Sequence, residues 1–346
     1  MDRRDLIMDG LRPDGLGLEI GGGYGPIAAG VAGLDVRTLD HLPTEELIAK
    51  YRDMGVDTSK VVPVDYVWSG ERYRDLVGET RFDWIVASHV IEHVPDLVGF
   101  INQCGEILAP GGVLALAIPD RRYTFDYYRS ETGLAELIDA HLQGRTVSTP
   151  GAAADHFLNH AELNGAGVWR PGLKGAPRFV IPAELAAGEF ARARTGAYVD
   201  VHAWVFSPSR FRLAIADLNM LGLLDLREAR FHDTSDCEFI VHLSATGAGP
   251  DLDRLTLAER IAAEQQSEAV KNGCQALAME AAHLREERDT LAREAARLDQ
   301  TLQAATAEIG RLREALCGVR ASSSWRITAP LRNLGATFNG RARRRR

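Results

Sequence analysis

The segment Leu18-Glu19-Ile20-Gly21-Gly22-Gly23-Tyr24-Gly25 constrains this chain more than any other. An apolar strand ends in an acid and then turns through glycines spaced G-x-G-x-G. Glycine accepts left-handed backbone angles and has no Cβ, so a ligand can come close to the main chain there. A carboxylate just ahead of the turn can accept a hydrogen bond from a ligand amine or hydroxyl. Together these features predict a nucleotide-like cofactor lying across the end of a strand. The dinucleotide fingerprint, G-x-G-x-x-G/A with an acid about 20 residues further on, is the nearest alternative. Counted from Gly21 its third position falls on Pro26 and the pattern fails. Counted from Gly23 it falls on Ala28, which is allowed, with Asp40 as the ribose acid. The turn alone therefore leaves a nicotinamide-dependent oxidoreductase open.

Short apolar runs alternate with helical patterns from about residue 15 to 118, the signature of βαβ units and a parallel sheet. The strands are expected at Leu16–Ile20, Val36–Leu39, Val61–Val64, Trp84–Ala87 and Val113–Ile118. A helix is expected near Pro26–Ala32, another at Thr44–Tyr51 with Thr44 as its cap, and a third after Pro95. The strands are continuous apolar runs, as in a sheet covered by helices on both faces. The pattern breaks over residues 119–206, rich in aromatic, histidine and arginine residues. It resumes with a helix from Ser207-Pro208 to about Leu221 and a strand pair, Leu223–Phe231 and Glu238–Ser244. Residues 119–206 thus read as an insertion at the carboxyl end of the fifth strand, where α/β folds build ligand sites.

The 346 residues are 45% hydrophobic, enough for a sizeable core, and the net charge of -8 speaks against a nucleic-acid-binding body. Cys104, Cys237, Cys274 and Cys317 form no C-x-x-C pair, which fits a reducing compartment rather than a zinc knuckle or disulfide scaffold. With no signal-peptide pattern and no apolar run of membrane-spanning length, the expected location is cytoplasmic. A linker is expected at 247–254, followed by a coiled coil at 255–318. Leu277, Leu284, Leu291, Leu298, Ala305 and Leu312 recur every seventh residue, with Ala281, Ala295, Leu302, Ile309 and Leu316 on the partner seam and Arg288 interrupting it. This predicts homo-oligomerisation and leaves the strand number open. The tail, 319–346, interleaves arginines with Trp325, Ile327, Leu331, Leu334 and Phe338. It suits an anionic membrane surface, an acidic partner or a disordered solubilising extension.

Read in order, several motifs resemble those of the class I S-adenosylmethionine-dependent methyltransferases. Glu19, Gly21, Gly23 and Gly25 match the family's first motif, and Asp40 ends the second strand. Asp65-Tyr66 follows the third. Phe82-Asp83-Trp84-Ile85-Val86-Ala87-Ser88-His89-Val90-Ile91-Glu92-His93-Val94 resembles the fourth motif, and Leu108-Ala109-Pro110-Gly111-Gly112-Val113-Leu114 the entry to the fifth strand. The resemblance covers roughly residues 15–120 by motif and 207–246 by topology. It implies a Rossmann-like, doubly wound, mostly parallel seven-stranded sheet in a methyltransferase domain at 1–246, with S-adenosylmethionine as cofactor. It also implies roles: Glu19 and the glycines at the methionine end, Asp40 on the ribose, Asp65 and Tyr66 at the adenine, and His89 in the pocket floor.

Methyl transfer is an in-line displacement that needs the reactants held in line, and a base only where the acceptor has a proton to lose. His202, in Asp200-Val201-His202-Ala203-Trp204, is the first candidate base and His93 the second. Glu92-His93 offers two metal ligands, too few to establish a site, so no metal is assigned. His156 and His160 stand at i, i+4 and share a helix face, with surface placement expected. Arg121 and Arg122 after the fifth strand would hold a phosphate or carboxylate on the acceptor. The expected reaction is methylation of a hydroxyl on a glycan, a sugar-linked molecule or another small metabolite. A scaffold protein acting through its helical arm and basic tail is the competing class.

Overall fold

The computed structural model describes residues 2–328 and 330, with the side chains of 266–280 and 325 outside that description. Expectations for the basic tail beyond Pro330, and for Leu277, fall outside the described residues. Two units are distinguished, Met1–Gly273 and Cys274–Arg346.

The first unit holds a seven-stranded sheet. Its strands are β1 (Leu16–Ile20), β2 (Asp35–Asp40), β3 (Tyr66–Val67), β4 (Phe82–Ser88), β5 (Leu108–Pro119), β6 (Arg227–Ser235) and β7 (Glu238–Ser244). They lie in the order β3-β2-β1-β4-β5-β7-β6. All neighbours are parallel except β7, which runs antiparallel to both β5 and β6. Alternate residues of β5 feed opposite faces. Leu114, Leu116 and Ile118 join a core with Leu97, Phe100 and Ile101 of α4 (Leu97–Ile107) and Phe211, Ile215 and Leu218 of α8 (Pro208–Met220). Ala115 and Ala117 pack on the other face with Trp84, Val86, Ile240, and Ile7 of α1 (Arg3–Met8). Burial on both faces is why these strands read as unbroken apolar runs.

Three local expectations change. No helix follows β1: residues 21–34 are turns, with Gly30 at φ 78°, and the Glu19 carboxylate takes the amides a helix would have used. The third strand is Tyr66–Val67 rather than Val61–Val64, because Pro63 has no N–H for a ladder. Between them, α2 (Thr44–Asp53) starts one residue after its N-cap, Pro43, and Thr44 Oγ1 accepts from Val64 N at 2.9 Å instead of capping. The short helix α3 (Tyr73–Val77) precedes β4.

The insertion leaves β5 at Asp120 and returns at Phe206, and these two residues form a parallel bridge. Between them lie a 3-10 turn (Arg121–Tyr123), α5 (Leu134–Leu142), α6 (Pro150–Asn159), a two-residue ladder of Ala161–Glu162 with Arg178–Phe179, and α7 (Ala183–Ala193).

A helix, α9, runs over Arg254–Ala321. Its first turns belong to the first unit: Leu257 and Ile261 pack against Leu213 of α8, Arg254 pairs with Asp217 at 2.9 Å, and Ser209 Oγ donates to Glu264 at 2.8 Å. The division between units therefore falls at 273/274 rather than at the expected linker. In the second unit, Leu284, Leu291, Leu298, Leu302, Ile309, Leu312 and Leu316 are 47–65% exposed. A five-residue helix, α10 (Ser323–Ile327), follows. No helix among the described residues is long and apolar enough to cross a membrane.

Candidate active site

The strand order reverses direction between β1 and β4, and their carboxyl ends open side by side, the place where open α/β sheets bind ligands. Gly21 carries φ 68°, and a Cβ there would stand 2.6 Å from Val90 Cγ2, so the turn after β1 and the loop after β4 pack directly on each other. Gly21 N donates to Leu39 O at 2.9 Å, which brings the end of β2 to the same edge.

The sequence-predicted cofactor residues divide. Asp40 is buried, its Oδ1 accepting from His41 N at 2.7 Å. Gly25 borders open space, and Tyr24 packs edge-on to Tyr51 at 5.1 Å, with Tyr51 reaching toward Gly23. Glu19 corrects its expected part. Its carboxylate points inward and accepts from the amides of Ile27, Ala28 and Ala29 at 2.6, 2.9 and 2.7 Å, so it shapes the glycine loop instead of reaching out of it. The missing helix after β1 speaks against a dinucleotide, whose pyrophosphate sits on that helix's N-terminus. Asp65 is also turned inward: its Oδ2 accepts from Thr38 N at 2.8 Å and ties β2 to the segment before β3. Tyr66 packs against the main core.

Beyond β4 the chain turns through His89, at φ 53°, and places Glu92 under the returning end of the insertion. The Glu92 carbonyl accepts from Ala203 N at 2.7 Å and Trp204 N at 3.3 Å, and Trp204 Nε1 donates to Val94 O at 2.6 Å. These bonds carry His202, 109 positions downstream of His93, to the same spot. His93 and His202 meet ring to ring, 4.7 Å apart and nearly perpendicular.

His202 is buried and held on every side. Its Nδ1 lies 2.5 Å from Asp126 Oδ2, its amide donates to His156 Nδ1 at 3.2 Å, and its carbonyl accepts from Arg129 at 3.0 Å. Arg129 also pairs with Asp126 and Asp155, each at 2.7 Å. Burial alone would raise the Asp126 pKa, but His202 and Arg129 outweigh it and hold this carboxyl well below the usual carboxylate range. Asp126 fixes the ring so that His202 Nε2 faces Glu92, 3.9 Å from its Oε1. His93 Nδ1 lies 2.9 Å from Asp200 Oδ1, an ion-pair contact without a hydrogen bond. Burial opposes charge on His93, yet Asp200 and Glu92 raise its pKa. His89 sets Nε2 2.8 Å from Glu238, which Arg3 also pairs.

Three expectations about the insertion change. His156 is buried, not on the surface; burial and the neighbouring His202 and Arg129 push its pKa down to about 3, so it is a neutral acceptor. His160 stacks flat on Phe125 at 4.5 Å. Arg122 spends its guanidinium on Asp120, at 2.6 Å, and Arg121 donates to Tyr127 O at 2.7 Å, so both brace the loop after β5. The anionic acceptor expected from these two arginines thereby loses its basis. Sequence reasoning missed Asp126, Arg129 and Asp200 as partners. Asp126 and Asp200 each stood in a segment singled out for another residue, and their partners lie 76 and 107 positions away.

Residues 2–160 match the family model described as a methyltransferase domain. A ubiquinone biosynthesis O-methyltransferase of Nitrobacter winogradskyi is 33% identical over 97 residues, covering 27% of this chain and 36% of that protein. Its counterpart in Xanthomonas oryzae pv. oryzae is 34% identical over 108 residues, covering 30% of this chain and 43% of that protein. The chain thus spans less than half the length of these curated relatives. Among solved structures, the CcbJ methyltransferase from Streptomyces caelestis is 17% identical, covering 70% or more of both chains (71% and 97%), with a TM-score of 0.35. The family match over residues 2–160, the motif order and the β3-β2-β1-β4-β5-β7-β6 sheet agree and support a class I S-adenosylmethionine-dependent methyltransferase domain in the first unit.

Proposed function

We propose that this protein transfers a methyl group from S-adenosylmethionine to a hydroxyl of a small metabolite or sugar-linked acceptor. The observation that carries the reading is the Asp126–His202 pair, 2.5 Å apart, with the far nitrogen of His202 presented at the end of β4. The cofactor supplies an electrophilic methyl on a sulfonium. The glycine turn Gly21, Gly23 and Gly25 lets its methionine end approach the main chain, and Asp40 holds the ribose through the carboxylate oxygen that His41 leaves unused. His89 borders the same floor. His202 takes the hydroxyl proton on Nε2, and Asp126 stabilises the imidazolium that forms. His93, set by Asp200, lines the approach. Methylation of oxygen is also what the names of the two curated relatives describe for those proteins.

The insertion supplies the acceptor pocket, because it delivers His202 and covers the carboxyl ends of β4 and β5. Its surface carries exposed apolar side chains, among them Val168, Phe179 and Tyr198, which suits an acceptor with an apolar body. Titration of the full-length protein with S-adenosylmethionine, followed by labelled-methyl transfer to a panel of hydroxylated metabolites and glycosides, tests the reading. It is overturned if the cofactor does not bind.

We further propose that α9 pairs with a second copy. Seven Leu and Ile side chains at heptad spacing, each about half exposed, are more apolar surface than one helix leaves in water without a partner. Light scattering of the full chain and of a Leu291→Glu/Leu298→Glu variant checks this: the wild type should be oligomeric and the variant monomeric.

A further inference from the structure

Glu92 is 1% exposed, and neither of its carboxylate oxygens has a hydrogen-bond partner among the described residues. A buried carboxylate without hydrogen bonds is costly, so such a group is normally paired or holds a cation. Its neighbours are imidazoles, none at bonding distance. His89 Nδ1 lies 3.5 Å from Glu92 Oε1, His202 Nε2 3.9 Å and His93 Nε2 4.0 Å. One ligand atom each from Glu92, His93 and His202 lies within 4.8 Å of the other two. Ligands bound at about 2.1 Å to one tetrahedral ion stand roughly 3.4 Å apart, so a small contraction of this group accommodates an ion.

The second observation is what holds the histidines. His202 gives its other nitrogen to Asp126 at 2.5 Å, while His93 Nδ1 stands 2.9 Å from Asp200 as an ion-pair contact without a hydrogen bond. A ligating histidine characteristically donates its remote N–H to a carboxylate, which fixes the tautomer and aims the lone pair. His202 is thus set with Nε2 toward a buried carboxylate that has no hydrogen bond, and His93 brings its Nε2 to the same oxygen.

We propose that Glu92, His93 and His202 form a binding site for one divalent transition cation. Two imidazoles and one carboxylate suit a zinc-like ion better than magnesium, which prefers oxygen ligands. Three protein ligands leave a position open. The inference rests on the methyltransferase reading and gives His202 a ligand's part in place of a base's: an acceptor hydroxyl takes the open position and is acidified by the ion. Its proton then leaves to water rather than to His202, now a ligand. The alkoxide forms a C–O bond as the methyl C–S bond breaks, the electron pair staying on sulfur.

The test uses untagged, chelator-treated full-length protein titrated with Co2+, followed by visible absorption and calorimetry. One Co2+ per chain is expected, with visible bands of a low-coordinate site, displacement by Zn2+ and no response to Mg2+. Glu92→Gln and His93→Gln should each weaken binding by at least roughly 100-fold, and Asp126→Asn by about 10- to 100-fold, the range for an outer partner of a ligand. Without metal, Glu92→Gln should melt no lower than the wild type, whereas removal of a carboxylate with a purely structural task would lower the melting temperature. Should Glu92→Gln fail to fold, His93→Gln, at a partly exposed position, carries the test. Absence of visible bands, or binding indifferent to both variants, overturns the site. S-adenosylmethionine titrated into the same sample separates the two readings: cofactor binding without Co2+ binding sinks only the metal site, and the converse sinks only the methyltransferase reading.

Discussion

Glu19, the penultimate residue of β1, and Glu92, four residues beyond the end of the neighbouring β4, are equally buried, at 2% and 1% exposure. Glu19 is saturated: three main-chain amides fill its two oxygens. Glu92 is starved, ringed by imidazoles at 3.5 to 4.0 Å with no hydrogen bond of its own. The contrast separates a carboxylate that builds the fold from one that the fold keeps in reserve. A saturated acid holds a loop in one shape and has nothing left for a ligand. An unsatisfied acid at the same depth is a cost that the rest of the structure offsets, as buried polar groups at functional sites often are.

The largest effect should come from the Glu92 side of this contrast. His202→Ala and Asp126→Asn should lower turnover by about 10²- to 10⁴-fold, with S-adenosylmethionine affinity unchanged by calorimetry. A comparable loss of affinity would place the pair in cofactor binding instead. Next, Glu19→Gln should cost about 3 kcal/mol in urea unfolding, since hydrogen bonds to a charged group contribute about 1.5–3 kcal/mol each and an amide keeps one acceptor oxygen. Glu92→Gln should do the opposite, gaining up to about 1 kcal/mol in metal-free protein by removing an unpaired buried charge. If both variants lose stability equally, the distinction between the two acids is gone. Asp40→Asn should weaken cofactor binding by about tenfold, or about 1.4 kcal/mol, and leave unfolding unchanged.

The smallest effect lies away from both loops and sets their baseline. His242 is buried, with Nε2 2.8 Å from Ile7 O, and burial is the main cause that lowers its pKa. The unfolded chain takes a proton below about pH 6.5 that the folded chain refuses, so stability should fall as pH drops through that value and be flat above it. Urea midpoints at pH 7.5 and 5.5 should differ in the wild type and differ by less in His242→Gln, the remainder coming from other buried neutral histidines such as His156.

The fold was legible wherever local pattern and tertiary demand agree. Leu16–Ile20 and Glu238–Ser244 are strands as read, the fourth and fifth are longer than expected but in place, and the sixth is Arg227–Ser235 rather than Leu223–Phe231. Reading failed where one distant side chain redirects the main chain. Glu19 captures the amides of 27–29 and abolishes a helix whose apolar pattern was present, and Thr44 leaves its cap for Val64. In the candidate site, the glycine turn, Asp40 and the two histidines could be picked out because each sits at a strand end or in an aromatic segment. The carboxylates that aim those histidines could not, since nothing local to Asp126 announces a bond to residue 202. The unsatisfied state of Glu92 was equally hidden, because it depends on every neighbour that fails to reach it.

The Asp120–Phe206 bridge closes the insertion into a lobe, and the same returning strand hangs from the Glu92 carbonyl through Ala203 and Trp204. In the proposed methyl transfer, recognition and reactivity share this one segment. An acceptor that seats the lobe correctly also sets the distance between His202 and Glu92, and one that seats it badly pulls them apart. Discrimination among acceptors then takes place in the alignment of the reacting groups, so a wrong molecule can bind well and still go unmethylated.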